Sequence, residues 1–517
     1  MAAPYKRINS DDSFEFVDQT DLLHVRLTGD HRRKHVIPGK EAQTGDQKQP
    51  LSPVSQRTTP LTLKAFQQLL DGDGRLVDES ALRKTVFLGG IEPSARREVW
   101  QYLFSLYPCN STQREREVLL LDYIVKYSEM KSHWKSLLKQ HSTPGASELE
   151  QGLVAKYQVP EQDTLAPAST ENCCNQSNNG EPDKADRPHL NSTSCQNESY
   201  TQNNHQGMNK ESDLVRLSKH CNFIDLNNEE TRQKVAFMKI QAQVYVSRNR
   251  IDVGALRSCL RLIDKDVPRT DRDTEYFRSS DTPTLTILRE ILITFSGFTP
   301  DVGYAQGMND ILARFLFVFD SEVEAYWCFH NYLEKIKIDF QEEGMINKIE
   351  LVRKLLLEMD KPLLEHLENH ELGDLLFCHR WLLLGFKREF SFLDSLRVFE
   401  ILSSHHLELS SVEAEKVKRK QTMKEFADIG GVTRTTPRET DAEFTFELFM
   451  CVAMLQECRP ALFKCTDAAM VFQVINNLAI NLDVVLEHSE RLFFRYCKKS
   501  VEDSFQLVDT PGKKHRR

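Results

Sequence analysis

Apolar residues recur at helical spacing from near Leu61 to about Cys497, and no β-alternating run of useful length competes with them. That pattern predicts an all-α body over 61–500. In one segment Leu285, Leu288, Ile291, Leu292 and Phe295 follow Thr282-Pro283, a capping residue before a first-turn proline, and Gly297 and Pro300 mark the stop. Ser321-Glu322-Val323-Glu324 reads as a capping box opening a helix that carries Tyr326, Trp327 and Phe329. Leu351, Leu355, Leu356 and Met359 continue the period, as do Phe377, Trp381 and Leu384, then Leu448, Phe449, Val452 and Leu455. Leu375, Leu376 and Phe377 read together as core.

Two segments break the period. Residues 143–214 are rich in Asn, Ser, Gln, Glu, Thr and Pro and too poor in aromatics to bury a core, which predicts a low-complexity insertion. Residues 408–443 carry Lys416-Val417-Lys418-Arg419-Lys420 and Gly430-Gly431, and read as a charged, looped-out insertion holding at most one solvated helix. The basic run is a solvated loop in the plainer reading and an acidic-lipid or targeting patch in the sharper one. Residues 1–60 are polar and expected to form a mostly disordered tail, with a second short tail over 501–517. Inside the first tail, Asp11-Asp12-Ser13-Phe14-Glu15-Phe16-Val17 resembles the short segment that docks on autophagy ubiquitin-like modifiers by strand addition, a pattern that also arises readily by chance.

Charge and composition exclude several function classes. Lys plus Arg is 67 against 76 for Asp plus Glu, a formal charge of −9, which argues against a nucleic-acid partner held by phosphate neutralisation. The cysteines are scattered without CxxC pairs, and the amino terminus leads into Asn9-Ser10-Asp11-Asp12 rather than an apolar stretch, so a reduced, cytoplasmic setting without a secretory signal is expected. The apolar runs near Ile311–Phe319 and Trp381–Phe386 are cut by Arg314 and Lys387 and are too short to be transmembrane segments.

The chain carries no phosphate-binding loop, dinucleotide fingerprint, zinc-protease motif or nucleophile elbow, so any chemistry it performs is lent to a partner. Two short segments have the residues for that. In Leu262-Ile263-Asp264-Lys265-Asp266-Val267-Pro268-Arg269, the proline bends or ends the preceding helix, so Arg269 projects from an edge. In Val302-Gly303-Tyr304-Ala305-Gln306-Gly307-Met308-Asn309-Asp310, two glycines free the backbone to present Gln306 at a helix entry.

Ile263-x-x-Asp266-x-x-Arg269 with Tyr304-x-Gln306 resembles the dual-finger signature of TBC domains, the GTPase-activating proteins of Rab-type small GTPases. Gly90-Ile91-Glu92-Pro93-Ser94-Ala95-Arg96-Arg97-Glu98-Val99-Trp100 resembles the motif that opens such domains, and Phe377 to Leu384 followed by Phe386-Lys387-Arg388-Glu389-Phe390 resembles a later one. The likeness runs over about 75–500, the two insertions excluded. It implies that Arg269 is an arginine finger and Gln306 a glutamine finger, both supplied in trans to a GTP-loaded Rab, with Asp266 fixing the guanidinium and Tyr304 supporting the loop. Ile263 and Gly307 belong to the same motifs, while Arg96 and Trp100 read as scaffold. The chain would then be an activator rather than an enzyme, with no cofactor of its own, because GTP and magnesium belong to the partner. It would act in the cytoplasm and on endosomal or other vesicle membranes to which it is recruited. Singly, Asp266 and Arg269 also fit an ordinary helix-end ion pair, and His379 a satisfied interior histidine. The rival from another class is a non-catalytic Rab-binding effector or scaffold in trafficking or autophagy. Phe399-Glu400 departs from the Trp-Glu or Trp-Asp of the nearest-looking subgroup, which should alter packing more than catalysis.

Overall fold

The computed structural model describes residues 57–141, 228–278, 283–429 and 444–506, the side chains of 426–429 and 504–506 excepted. The Phe14–Val17 segment, the insertion over 143–214 and residues 430–443 of the second insertion lie outside the described residues. What is described is all-α: helices and turns, with only two isolated bridges, Leu61 to Ile91 and Leu70 to Leu76.

Side-chain caps start many of these helices. Thr112 and Glu115 form a reciprocal capping box that opens helix Gln113–Gln140, and Asp252, Asp360, Ser391 and Asp467 cap later ones. The box expected at Ser321 is only half made. The Ser321 hydroxyl accepts from the Glu324 amide, but the buried Glu324 carboxylate turns away to accept from Arg97 and Gln101, each at 2.8 Å. A charge in the interior is held by donors from another helix rather than by its own first turn. Pro283 occupies the cap position of helix Thr284–Phe298 rather than its first turn, and the helix runs through Gly297 to end at Phe298.

Two apolar cores share one wall. The first gathers helices Gln113–Gln140, Thr284–Phe298, Met308–Phe319 and Glu322–Ile336 around Trp100, whose ring lies 4.8 Å from Phe104, 5.6 Å from Phe315 and 5.6 Å from Phe399. The second is built from helices Glu342–Met359, Phe446–Glu457 and Leu482–Gln506 with Trp381 inside it. Helix Phe392–Ser403 gives Leu396 and Phe399 to the first and Val398 and Ile401 to the second.

Three details differ from expectation. Arg57, inside the expected tail, is fixed to the body: it donates to the Phe87 carbonyl at 2.6 Å, lies over the Phe87 ring and pairs with fully buried Glu490. Residues 412–429 form an 18-residue helix that is packed rather than looped out, with Ala414, Val417 and Gln421 buried along one face against helix Leu482–Gln506, which itself runs past the expected boundary at 500. Leu376 is not core. The chain turns through Leu375 at a positive φ of 52°, which buries Leu375 and Phe377 and leaves Leu376 54% exposed.

Candidate functional site

Helix Val253–Asp266 buries Ile263 and Asp266 on its inner face. Pro268 cannot continue an α-helical hydrogen-bond ladder, and the chain tightens into the short 3-10 turn Val267–Arg269 before going extended at Thr270. Val267 and Thr270 are buried on either side, so Arg269 is turned outward, its side chain 43% exposed, while its Nη2 stays 2.6 Å from Asp266 Oδ1.

The other oxygen of Asp266 accepts from the Tyr304 hydroxyl at 2.7 Å. Burial, then the charge of Asp266 and the bond to it, push the Tyr304 phenol well above its ordinary pKa, so it remains a donor. The Tyr304 oxygen also lies 3.2 Å from Asn309 Oδ1, which accepts from the Gly307 amide. Asn309 Nδ2 donates to Thr270 Oγ1 at 2.9 Å, and that hydroxyl donates to the Asp266 carbonyl at 3.0 Å. Asp266, Tyr304, Asn309 and Thr270 thus close a buried polar ring that ties the arginine loop to the loop of Gln306. Gln306 itself sits in the turn and is exposed.

Gly307 is demanded twice over. Its φ of +99° is costly for any residue with a Cβ, and a Cβ built there would lie 2.7 Å from Leu384 Cδ2. Leu384 belongs to helix His379–Leu384, so the Gln306 turn is seated directly on the segment that follows Trp381.

A second polar layer lies behind the ring. Buried Lys387 reaches Asp271 Oδ2 at 2.5 Å and Asp310 Oδ1 at 3.1 Å, and Arg388 reaches Asp310 Oδ2 at 2.9 Å. Burial pushes Asp271 up, with Lys387 pulling against it. Burial also acts on Asp310, but there Lys387 and Arg388 together hold the carboxyl below its ordinary range. One ammonium therefore anchors the residue after Thr270 and the residue after Asn309. Fully buried Arg314 donates to the Leu384 carbonyl and lies 4.4 Å over the Phe399 ring, and burial lowers its pKa.

Arg96 and Trp100 are not part of this assembly. Arg96 Nε and Trp100 Nε1 donate to Glu400 Oε1 at 2.6 Å and 3.0 Å, gripping a carboxylate with no exposed surface whose pKa burial pushes up. They hold helix Arg96–Leu103 against helix Phe392–Ser403. Phe399 stacks on Phe104 at 4.9 Å in that wall. His379 is half-buried, and among the described residues no group of three His, Cys, Asp or Glu is arranged to hold a metal.

The sequence motifs named Ile263, Asp266, Arg269, Tyr304, Gln306 and Gly307, and these six converge. Asn309, Thr270, Asp271, Asp310 and the bridging role of Lys387 were missed. A buried Asn and Asp side by side in an otherwise apolar first turn, Met308-Asn309-Asp310-Ile311, was the available signal. Chemically, the arrangement offers a permanently charged planar donor and a neutral amide, both exposed, on two loops locked together from behind.

Residues 224–420 match the profile of the Rab-GTPase-TBC domain. The chain is 26% identical over 352 residues to TBC1 domain family member 17 of Mus musculus, covering 68% of this chain and 38% of that protein. It is 25% identical over 357 residues to the GTPase-activating protein GYP7 of Candida glabrata, covering 68% of this chain and 36% of that one. The chain thus matches well under half the length of these relatives. The Ypt/Rab-GAP domain of Gyp1p superposes with a TM-score of 0.47 at 14% identity, covering 84% of this chain and 97% of that one.

Proposed function

We infer that this chain, which belongs to the TBC domain family of Rab GTPase-activating proteins, accelerates GTP hydrolysis by a Rab-type GTPase through Arg269 and Gln306 supplied in trans. One observation carries the reading: two exposed side chains of the right chemistry stand on separate loops that a buried hydrogen-bonded ring holds in register. A small GTPase hydrolyses slowly because charge on the transferring phosphoryl group is under-stabilised and the attacking water is poorly aligned. An arginine inserted from outside is worth on the order of a thousand- to a hundred-thousand-fold in rate. Arg269 supplies the guanidinium. Asp266 restrains it from behind, so less freedom is lost when the phosphate oxygens are engaged. The Gln306 amide accepts from the water and donates beside it, aligning the in-line attack in place of the GTPase's own glutamine. GTP and magnesium belong to the Rab, and this chain contributes no cofactor.

The partner in this reading is a Rab in its GTP form on a vesicle or endosomal membrane, met from the cytoplasmic side by a peripherally recruited protein. No helix among the described residues is long and apolar enough to cross a membrane. Docking of Phe14–Val17 on an autophagy ubiquitin-like modifier is a separate proposal, and pull-down that persists in Phe14→Ala with Val17→Ala would dismiss it.

The test is single-turnover GTP hydrolysis across a panel of GTP-loaded Rabs, with wild type, Arg269→Ala and Gln306→Ala. Acceleration of one or a few Rabs, lost in both variants while complex formation persists, is the expected result. A folded protein that binds a Rab and accelerates none would be an effector or scaffold instead.

A further inference from the structure

Helix Val412–Ile429 turns one face inward through Ala414, Val417 and Gln421, and the opposite face follows steps of three and four residues along the exposed side. That outward side carries Lys416, Arg419, Lys420 and Lys424, with Glu415 and half-buried Glu413 as its acids. Val412 and Met423 lie toward its two ends, 62% and 59% exposed.

Helix Val253–Asp266 also exposes cations outside ion pairs, Arg257, Arg261 and Lys265, but this face adds a fourth cation and two exposed apolar side chains. The chain as a whole is formally −9, and on several exposed helices cations pair with a carboxylate one turn away, as in Arg83 with Glu79, Lys234 with Glu230 and Arg491 with Glu487. Among the described residues, no carboxylate pairs with Lys416, Arg419, Lys420 or Lys424. Even Glu415, one turn before Arg419, makes no ion pair with it. This face is predominantly basic, its cations are outside ion pairs, and it adds two exposed apolar side chains.

We propose that this face docks on an anionic lipid bilayer. The stripe is straight and spans about 18 Å at the rise of an α-helix, so a flat surface can meet all of it at once without a shaped pocket. Long lysine and arginine stems let the charged ends reach headgroup phosphates while Val412 and Met423 enter the boundary below them. A folded acidic protein would need acids placed to match the stripe; a lipid surface supplies mobile negative charge that arranges itself.

The face is separate from the ring around Asp266. Helix Leu482–Gln506 lies behind it, helix Phe446–Glu457 behind that, and neither helix contributes a residue to the ring. Lipid docking therefore stands or falls apart from the Rab-directed activity.

The experiment uses the full chain with vesicles of phosphatidylcholine and vesicles in which part of it is replaced by phosphatidylserine. Wild type is expected to co-sediment with the phosphatidylserine vesicles only, less so as salt rises. Each basic residue at such a surface is worth about fivefold in binding, so K416E/R419E/K420E/K424E should weaken it on the order of several hundredfold. V412S/M423S should weaken it less and leave the salt dependence unchanged. Both variants should keep the wild-type circular dichroism spectrum and the wild-type hydrolysis rate with a Rab in solution. Wild type that sediments equally with both vesicles or with neither, or a quadruple charge variant that sediments like wild type, would overturn the proposal.

Discussion

Tyr304 donates its hydroxyl proton to Asp266 across 38 positions of sequence, and the opposite oxygen of that carboxylate holds Arg269. A single buried carboxylate therefore couples the two loops, and its two oxygens can be addressed one at a time.

Tyr304→Phe deletes one donor and leaves the Asp266–Arg269 pair in place. A hydrogen bond to a charged group is worth about 1.5–3 kcal/mol, which corresponds to a loss of roughly ten- to a hundredfold in acceleration if the bond serves the geometry of the active state. Rab binding in a pull-down should change little. Full acceleration in this variant would show that the loops are held by something else.

Lys387→Met takes from half-buried Asp271 and buried Asp310 the ammonium they share, leaving Asp310 only Arg388. Removing one partner of a buried pair costs about 3–5 kcal/mol, so the denaturant midpoint should fall sharply. Lys387→Met with Asp310→Asn should recover part of that loss, because a buried carboxylate that has lost one of its two cations is gone. A double variant as unstable as the sum of the two single ones would refute the bridge.

Asp310 carries a pH signature. Burial raises its pKa, but Lys387 and Arg388 bring it below the ordinary value, so the folded state binds the proton more weakly than the unfolded chain does. The stability this contributes is complete above the unfolded value of about 3.9 and is lost as pH falls through the folded one. Thermal melts of wild type and Asp310→Asn should differ most near neutrality and begin to converge only as pH falls below about 4. A gap that stays constant into acid would contradict the assignment.

Gly307→Ala meets two obstacles, a positive φ and a collision with Leu384. The backbone part alone costs about 1–3 kcal/mol. Leu384→Ala in the same chain removes the collision but not the φ, so the pair should lose less stability than the two single changes added together. Simple additivity in the double-mutant cycle would mean that Leu384 is not what Gly307 makes room for.

The all-α body was legible because its helices repeat an apolar stripe that packing then uses. Helix Val412–Ile429 has the sequence of a looped-out segment because, among its described side chains, only Ala414, Val417 and Gln421 are buried, and its charged outer face drowns that weak period. The capping box at Ser321 failed for a different reason: Glu324 is claimed by Arg97 and Gln101, more than two hundred positions away, and no local pattern carries that. The site divides along the same line. Arg269 and Gln306 stand in short motifs that can be read locally, whereas Lys387 acquires its role from Asp271, which folding brings to it from 116 positions away.

Helix Phe392–Ser403 shows Leu396 and Phe399 to one core and Val398 and Ile401 to the other. Anyone trimming the protein to the matched stretch 224–420 would take Trp100 from the first flank and helices Phe446–Glu457 and Leu482–Gln506 from the second. The shared helix would then lose part of its cover on both sides, and a truncated product of that kind would expose apolar surface and aggregate rather than yield a minimal working domain.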